Sequence, residues 1–368
     1  MQFVDEYRNP ELVARVLKRI TERIEATPFT AKKPMYIMEV CGGHTHAIFK
    51  FGLDQLLPPQ IEFIHGPGCP VCVLPMGRID TCIEIAEQPN VIFCTFGDAM
   101  RVPGQRGSLL QARERGCDVR MVYSPLDALN LAVQNPDKKV VFFGLGFETT
   151  MPSTALTLKQ AKTQNVQNFF FLCQHITILP TLRALLSEDD VCIDAFIAPG
   201  HVSMVIGKDA YNFICDEFKK PLVIAGFEPL DILQSILMLI EQFAAGACKV
   251  ENQYNRVVPD EGNPRAQEVL REVFMTQGNK EWRGLGEIAD SGVVLTPDYA
   301  RFDAETHFNC TPQQVADDPE ARCGDVLTGR CQPNECTLFG TRCTPDNAFG
   351  ALMVSSEGAC AAFYQFRR

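Results

Sequence analysis

The sequence predicts an α/β protein built on open parallel sheets and followed by a smaller loop-rich segment. Three observations predict it. Eight short apolar runs lie between residues 35 and 245. Each leads through a Gly, Pro or polar turn into a helical segment, the alternation that gives parallel sheets covered by helices. After Ala247 the alternation stops, and the chain turns Gly-, Pro- and Cys-rich.

Taken in order, Pro10 to Ala26 opens the chain as a helix, with Leu12, Val16 and Ile20 at helical spacing. The strand candidates are Met35–Val40, Ile61–Ile64, Val91–Thr95, Val119–Tyr123, Val140–Phe143, Phe169–Cys173, Ala195–Ala198 and Leu222–Ala225. Eight runs fit two halves of about four strands, and Asn135–Lys139 reads as the linker between them. The apolar stretch Asp231–Ala247 is broken by Gln234, Glu241 and Gln242. It reads as a buried amphipathic helix, since a membrane span needs roughly 20 mainly apolar residues. A further helix is expected near Ala266–Phe274. The segment from Cys323 onward has little core of its own, so a bound metal group would hold it together.

The chain has 368 residues, 34 Lys and Arg against 45 Asp and Glu, and a net charge of -11. No basic block stands out, which excludes nucleic acid as a partner. The charged start Met1–Arg8 has no apolar signal core. A cytoplasmic protein with no membrane contact is expected. In that reducing compartment its sixteen cysteines speak for metal ligation, redox chemistry or inert burial rather than a disulfide framework.

Four motifs each stand where a strand runs into a helix, the edge at which open sheets bind ligands. Cys41-Gly42-Gly43-His44 puts a thiol beside the N–H groups of a helix start, which should lower its pKa. His44 is close enough in sequence to act as ligand or base. Its plain alternative is a tight turn with a buried thiol. Gly66-Pro67-Gly68-Cys69-Pro70-Val71-Cys72 carries a C-x-x-C, either a redox dithiol or half of a metal site. A zinc knuckle there would need Cys41, His44 or distant residues as further ligands. Gly144-Leu145-Gly146-Phe147-Glu148-Thr149-Thr150 resembles a phosphate-cradling turn but completes no nucleotide-binding pattern. Glu148 could line a cleft, or the segment could simply cap a helix. His201, in Pro199-Gly200-His201-Val202-Ser203, is a functional or a structural histidine.

The tail holds Cys323, Cys331, Cys336, Cys343 and Cys360, with Cys310 upstream. Irregularly spaced thiols suit an iron–sulfur cluster. Zinc bound by four cysteines usually shows paired short spacings, and only Cys331/Cys336 is short.

Together these motifs resemble the HypD family. The match takes in Cys-Gly-Gly-His-Thr-His at 41–46, Gly-Pro-Gly-Cys-Pro-Val-Cys at 66–72, Gly-Phe-Glu-Thr-Thr at 146–150 and Pro-Gly-His-Val-Ser at 199–203. Phe-Val-Asp-Glu-Tyr-Arg at 3–8, Trp-Arg-Gly-Leu-Gly at 282–286 and Met-Val-Ser-Ser-Glu-Gly-Ala-Cys at 353–360 match too. The resemblance implies two α/β domains facing a cleft and a third domain carrying a [4Fe-4S] cluster. On this sequence they fall at 30–135, at 136–246, and at 1–29 with 247–368. The family's C-x12-C-x6-C-x16-C pattern falls on Cys323, Cys336, Cys343 and Cys360, leaving Cys331 and Cys310 surplus. The resemblance further implies maturation of [NiFe]-hydrogenase. With the small chaperone HypC, the chain would hold a transient iron while it gains CN and CO. HypE would donate cyanide, obtained through HypF, and a hydrogenase large subunit would be served indirectly.

By the same resemblance, Cys41 is the iron-binding thiolate. Cys69 and Cys72 are a redox pair working with the cluster, and His44, Glu148 and His201 support them. The family role is that of an assembly scaffold with redox capability rather than a free-standing catalyst. The alternative is an iron–sulfur protein-disulfide reductase similar to ferredoxin:thioredoxin reductase.

Overall fold

The computed structural model describes residues 5–188, 191–311 and 313–367; the opening residues 1–4, read above for a signal core and for the start of one family match, lie outside them. All eight runs are strands: β1 (Met35–Glu39), β2 (Ile61–His65), β3 (Val91–Thr95), β4 (Val119–Met121), β5 (Lys139–Gly146), β6 (Phe169–His175), β7 (Ala195–Pro199) and β8 (Leu222–Ala225). A ninth, β9 (Val250–Asn252), has three residues and no fully buried position, so no apolar run announces it. The strands form two parallel sheets, ordered β2-β1-β7-β8-β9 and β4-β3-β5-β6. β3 and β7 are buried at every position. That is why their sequences are continuous apolar runs rather than alternating ones.

The sheets do not divide the chain where the linker was expected. Asn135–Lys139 leads from the helix Pro125–Gln134 into β5, within the four-stranded sheet. The chain leaves the first sheet after β2, builds the whole second sheet, and returns at β7. The boundary at 135/136 therefore does not separate the sheets. Turn chemistry marks a turn but not which strands pair across it. Ile37–Glu39 of β1 lie directly against Ala195–Ile197 of β7, a pairing that no local signal encodes.

The expected assignment of residues 1–29 to the C-terminal part is corrected as well. Ile20 and Ile24 of the helix Pro10–Ile24 are buried with Ile37, Ile197, Val223, Ile232 and Ile236, in the core of the first sheet. Asn9 caps that helix by accepting from the Glu11 and Leu12 N–H groups at 2.9 and 3.2 Å. Residues beyond 264 are shared out. Val269, Val273, Phe274, Val293 and Phe302 pack on the second sheet. Val326, Leu327, Leu338, Leu352 and Met353 join a central core with residues of both sheets. The tail thus borrows a core instead of building one.

The helix Pro229–Ala244 buries even Asp231, whose carboxylate takes the Arg256 guanidinium at 2.7 and 2.9 Å. Among the described residues, no helix is long and apolar enough to cross a membrane.

Neighbouring β1 and β2 bring the first two motifs side by side. Gly66 N–H donates to Glu39 O at 2.8 Å, and Gly42 N–H to Gly68 O at 3.2 Å. A Cβ on Gly68 would lie 2.1 Å from Cys41 N and 2.3 Å from Val40 C. Only glycine permits that approach. Gly68→Ala should lower unfolding stability by roughly 2–3 kcal/mol, the usual cost of overpacking. Denaturant titration of the variant checks this, and an unchanged midpoint would contradict the packing described.

Candidate functional site

The strand ends converge on a cavity of about 290 Å³, to which both sheets contribute. Cys41, Gly43 and Gly68 line one side, Gly146, Thr149 and Thr150 another, with His201 and Glu357. The four motifs picked out in the sequence therefore meet.

Glu39, fully buried, organises the Cys41 side. Its carboxylate accepts from the Cys41 backbone N–H at 3.0 Å, from the Thr45 hydroxyl, and from His65 Nδ1 at 2.8 Å. Cys41 precedes the helix Gly42–Lys50, as expected, but its thiol is not acidic. The Gly43 and His44 N–H groups do lower its pKa; burial first, and then the Glu39 charge, outweigh them and push it up to about 12. Cys41 is only partly buried by surface exposure, yet its thiol is crowded enough for desolvation to win.

His44 is completely buried. Its Nε2 donates to the carbonyls of Gly226 and Ala225, at 2.9 and 3.2 Å, and its Nδ1 has no hydrogen-bond partner among the described residues. Burial lowers its pKa, so the ring is neutral. Its ring stacks on Phe227 at 4.8 Å, and Phe227 meets His201 at 4.2 Å. Phe227 was missed in the sequence, although it too follows a strand end, that of β8. Tyr211 was missed because nothing local marks it. It is buried, and its hydroxyl lies 3.0 Å from Ser203 Oγ, which donates to Pro199 O at 2.7 Å.

Glu148 stands beside the cavity. One carboxylate oxygen accepts the Ile178 N–H at 3.1 Å, and the other is buried with no partner among the described residues. Burial, only partly offset by backbone N–H groups, pushes its pKa up to about 7.

Cys69 and Cys72 are buried, at 4% and 2% exposure, as free thiols hydrogen-bonded to each other. Neither lines the cavity. Behind Cys72 comes the segment 355–360. Glu357 packs on Gly42, and a Cβ on Gly358 would lie 3.0 Å from the Cys72 sulfur.

Cys360, at the start of the helix Ala359–Phe366, lines a second, small pocket together with Cys323, Cys336 and Cys343. These are the four thiols of the C-x12-C-x6-C-x16-C spacing. Cys331 and Cys310 do not line it. Burial and the neighbouring thiols Cys323, Cys343, Cys336 and Cys331 drive the Cys360 pKa upward, as expected of sulfurs gathered around one space. Cys323 is seated there by a close pass of Gly324 on Gly284, where a Cβ on Gly324 would lie 2.2 Å from Gly284 O.

Among the described residues, no three His, Cys, Asp or Glu side chains converge tightly enough to chelate a single ion. Four thiols around a pocket suit a polynuclear centre better. In such a centre each sulfur would bind a different iron, whereas in a zinc site all four would bind one ion.

The family model HypD, described as the hydrogenase formation hypA family, matches residues 11–367. The chain is 69% identical, over its full length and 99% of the relative, to the hydrogenase maturation factor HypD of Escherichia coli K12. It is 54% identical to that of Rhodobacter capsulatus, over all of this chain and 98% of the relative. The figure for HypD of Cupriavidus necator is 46%, with the same two coverages.

The Glu148 carboxyl offers a direct test of the cavity's dryness. With its pKa raised from 4.5 to about 7, ionisation costs nothing below pH 4.5. The cost grows between those values and is constant above the upper one. Glu148→Gln, which keeps the acceptor for Ile178, should therefore match the parent at pH 4. Above pH 7 it should be more stable, by on the order of 2–3 kcal/mol. Unfolding followed across that range checks the sign and the window.

Proposed function

Because the chain belongs to the HypD family of hydrogenase maturation factors, we propose that it is a cytoplasmic scaffold on which the iron group of a [NiFe]-hydrogenase acquires CN and CO. It would work with a HypC-type chaperone, receive cyanide from a HypE-type donor, and serve the hydrogenase large subunit indirectly. Cys41 holds the cargo iron. Its thiol resists ionisation in the empty cavity, and a bound cation is what makes it a thiolate, since metal coordination deprotonates a thiol outright. The cavity beside it has space for diatomic ligands. His44, whose pKa burial lowers and whose Nδ1 has no partner among the described residues, and Glu148, titrating near neutrality, are the groups close to the cavity able to take or give a proton. His201 closes the far wall.

Cys323, Cys336, Cys343 and Cys360 hold a [4Fe-4S] cluster, which supplies one-electron transfers when bound. Cys69 and Cys72 are the pair able to cycle between dithiol and disulfide, releasing two electrons and two protons when the S–S bond closes and taking both back when it opens; the cluster, when bound, would accept or supply those electrons one at a time.

One observation carries this reading. A single segment, 355–360, touches all three sulfur groups: Glu357 lies on Gly42, Gly358 on the Cys72 sulfur, and Cys360 lines the four-cysteine pocket. A free-standing protein-disulfide reductase fits less well, because Cys69 and Cys72 are nearly sealed from solvent and a protein disulfide would have to reach them.

The anaerobically purified complex with its small partner should show infrared bands of metal-bound CN and CO. Those bands should be lost in Cys41→Ser while the cluster's absorption is kept; bands surviving that change would overturn the assignment. Cys336→Ala should remove the cluster's colour and make the tail protease-sensitive. A coloured, equally resistant variant would contradict the ligand set.

A further inference from the structure

The first sheet carries another pair of touching thiols, at the edge opposite the cavity. Cys215 lies in the helix Asn212–Phe218, and Cys248 in the turn between the helix Pro229–Ala244 and β9. Both are free thiols, and their side chains are hydrogen-bonded to each other. The contact follows from the sheet register. β8 and β9 pair as Leu222 with Val250 and Ile224 with Asn252, and Leu222 N–H donates to Lys249 O at 3.2 Å. The chain segments just before the two strands therefore run side by side. Lys219 N–H turns back onto Cys215 O at 3.2 Å, and the Cys215 thiol donates to Lys220 O, also at 3.2 Å. Cys248 is fixed from its own side. Gln242 accepts the Ala247 N–H on its carbonyl at 2.9 Å and the Lys249 N–H on its side chain at 2.7 Å. Both thiols are thus held in place against each other.

The two differ in access. Cys215 is buried, and burial, then the neighbouring Cys248 thiol, pushes its pKa up to about 12. Cys248 is partly exposed, unlike the nearly sealed Cys69 and Cys72. Among the described residues, no third His, Cys, Asp or Glu joins the pair closely enough to hold a metal ion. Thiol–disulfide exchange is the chemistry that two adjoining thiols offer. In it, the Cys248 thiolate attacks a small disulfide RS–SR, displaces one RS⁻ and becomes a mixed disulfide. Cys215 then attacks the Cys248 sulfur and displaces the second RS⁻. The protons from the two cysteines end on the two leaving thiolates. The net change is two protein thiols and one RS–SR to one protein disulfide and two RSH, and excess RSH reverses it.

We infer that Cys215 and Cys248 form a reversible disulfide site for small-molecule disulfides, with Cys248 attacking and Cys215 resolving. The test treats the anaerobically purified full-length chain with oxidised glutathione, blocks the remaining thiols by alkylation, and maps tryptic peptides by mass spectrometry. Trypsin cuts after Lys219, so Cys215 and Cys248 fall in different peptides that only a disulfide joins. The joined pair should appear with oxidised glutathione and vanish with excess reduced glutathione. Cys215→Ser should leave Cys248 carrying glutathione as a trapped mixed disulfide, whereas Cys248→Ser should leave Cys215 at least roughly tenfold less modified, because its thiol is buried and protonated. The parent-chain mapping needs no variant. Cys215 and Cys248 both still alkylated after the oxidant, either one joined to a different cysteine instead, or Cys215 taking glutathione in Cys248→Ser as readily as Cys248 does in Cys215→Ser, would each overturn the assignment.

Discussion

The carboxylate of Glu39 is the interaction on which the Cys41 side of the cavity rests, because it ties three elements together where no water can replace it. It accepts from the Cys41 backbone, from Thr45 one turn into the following helix, and from His65 at the end of the neighbouring strand. A buried charge so placed is stable only while its partners stay. Removing one partner would leave the buried carboxylate short of a hydrogen bond, which typically costs about 1–3 kcal/mol. The register of β1 on β2 aligns Glu39 with His65, and the same register sets the two cysteine loops beside each other. The glycine at 68 then lets the second loop lie on the backbone of Cys41.

That arrangement also sets the thiol chemistry. A helix start would ordinarily favour a thiolate, and the Gly43 and His44 N–H groups do pull that way. The surrounding atoms and the Glu39 charge pull harder, so burial decides the protonation state. Cys94 is a cysteine fully buried in β3, and its pKa is likewise pushed up to about 12 by burial. High pKa alone does not separate a working thiol from an inert one. Neighbourhood does: Cys41 faces a cavity, Cys72 faces Cys69 and the 355–360 segment, and the four C-terminal thiols face one another.

The tail has a matching logic. Its few apolar side chains, among them Val326, Leu338 and Leu352, are buried in the central core with residues of both sheets. Its cysteines surround the remaining pocket. A segment too short of apolar residues for its own core is thus anchored on one side by borrowed packing, with four thiols gathered around a pocket on the other. The close pass of Gly284 and Gly324 explains why glycines fall at those positions.

The sequence by itself determined the first eight strands, their turns and the helices that follow them, because these depend on side-chain periodicity and turn residues only a few positions apart. It also placed Cys41, Glu148 and His201 at strand ends, and family spacing picked out four of the tail cysteines. Only the tertiary structure decided that β1 and β2 share a sheet with β7 and β8, so that the chain is not split at 135/136. It alone brought Phe227 between His44 and His201, buried Tyr211 against Ser203, and laid Glu357 and Gly358 between the sulfur groups. Most of those contacts join residues far apart in the chain. Their energy comes from burial and close packing, which the finished sheets create and no local pattern records.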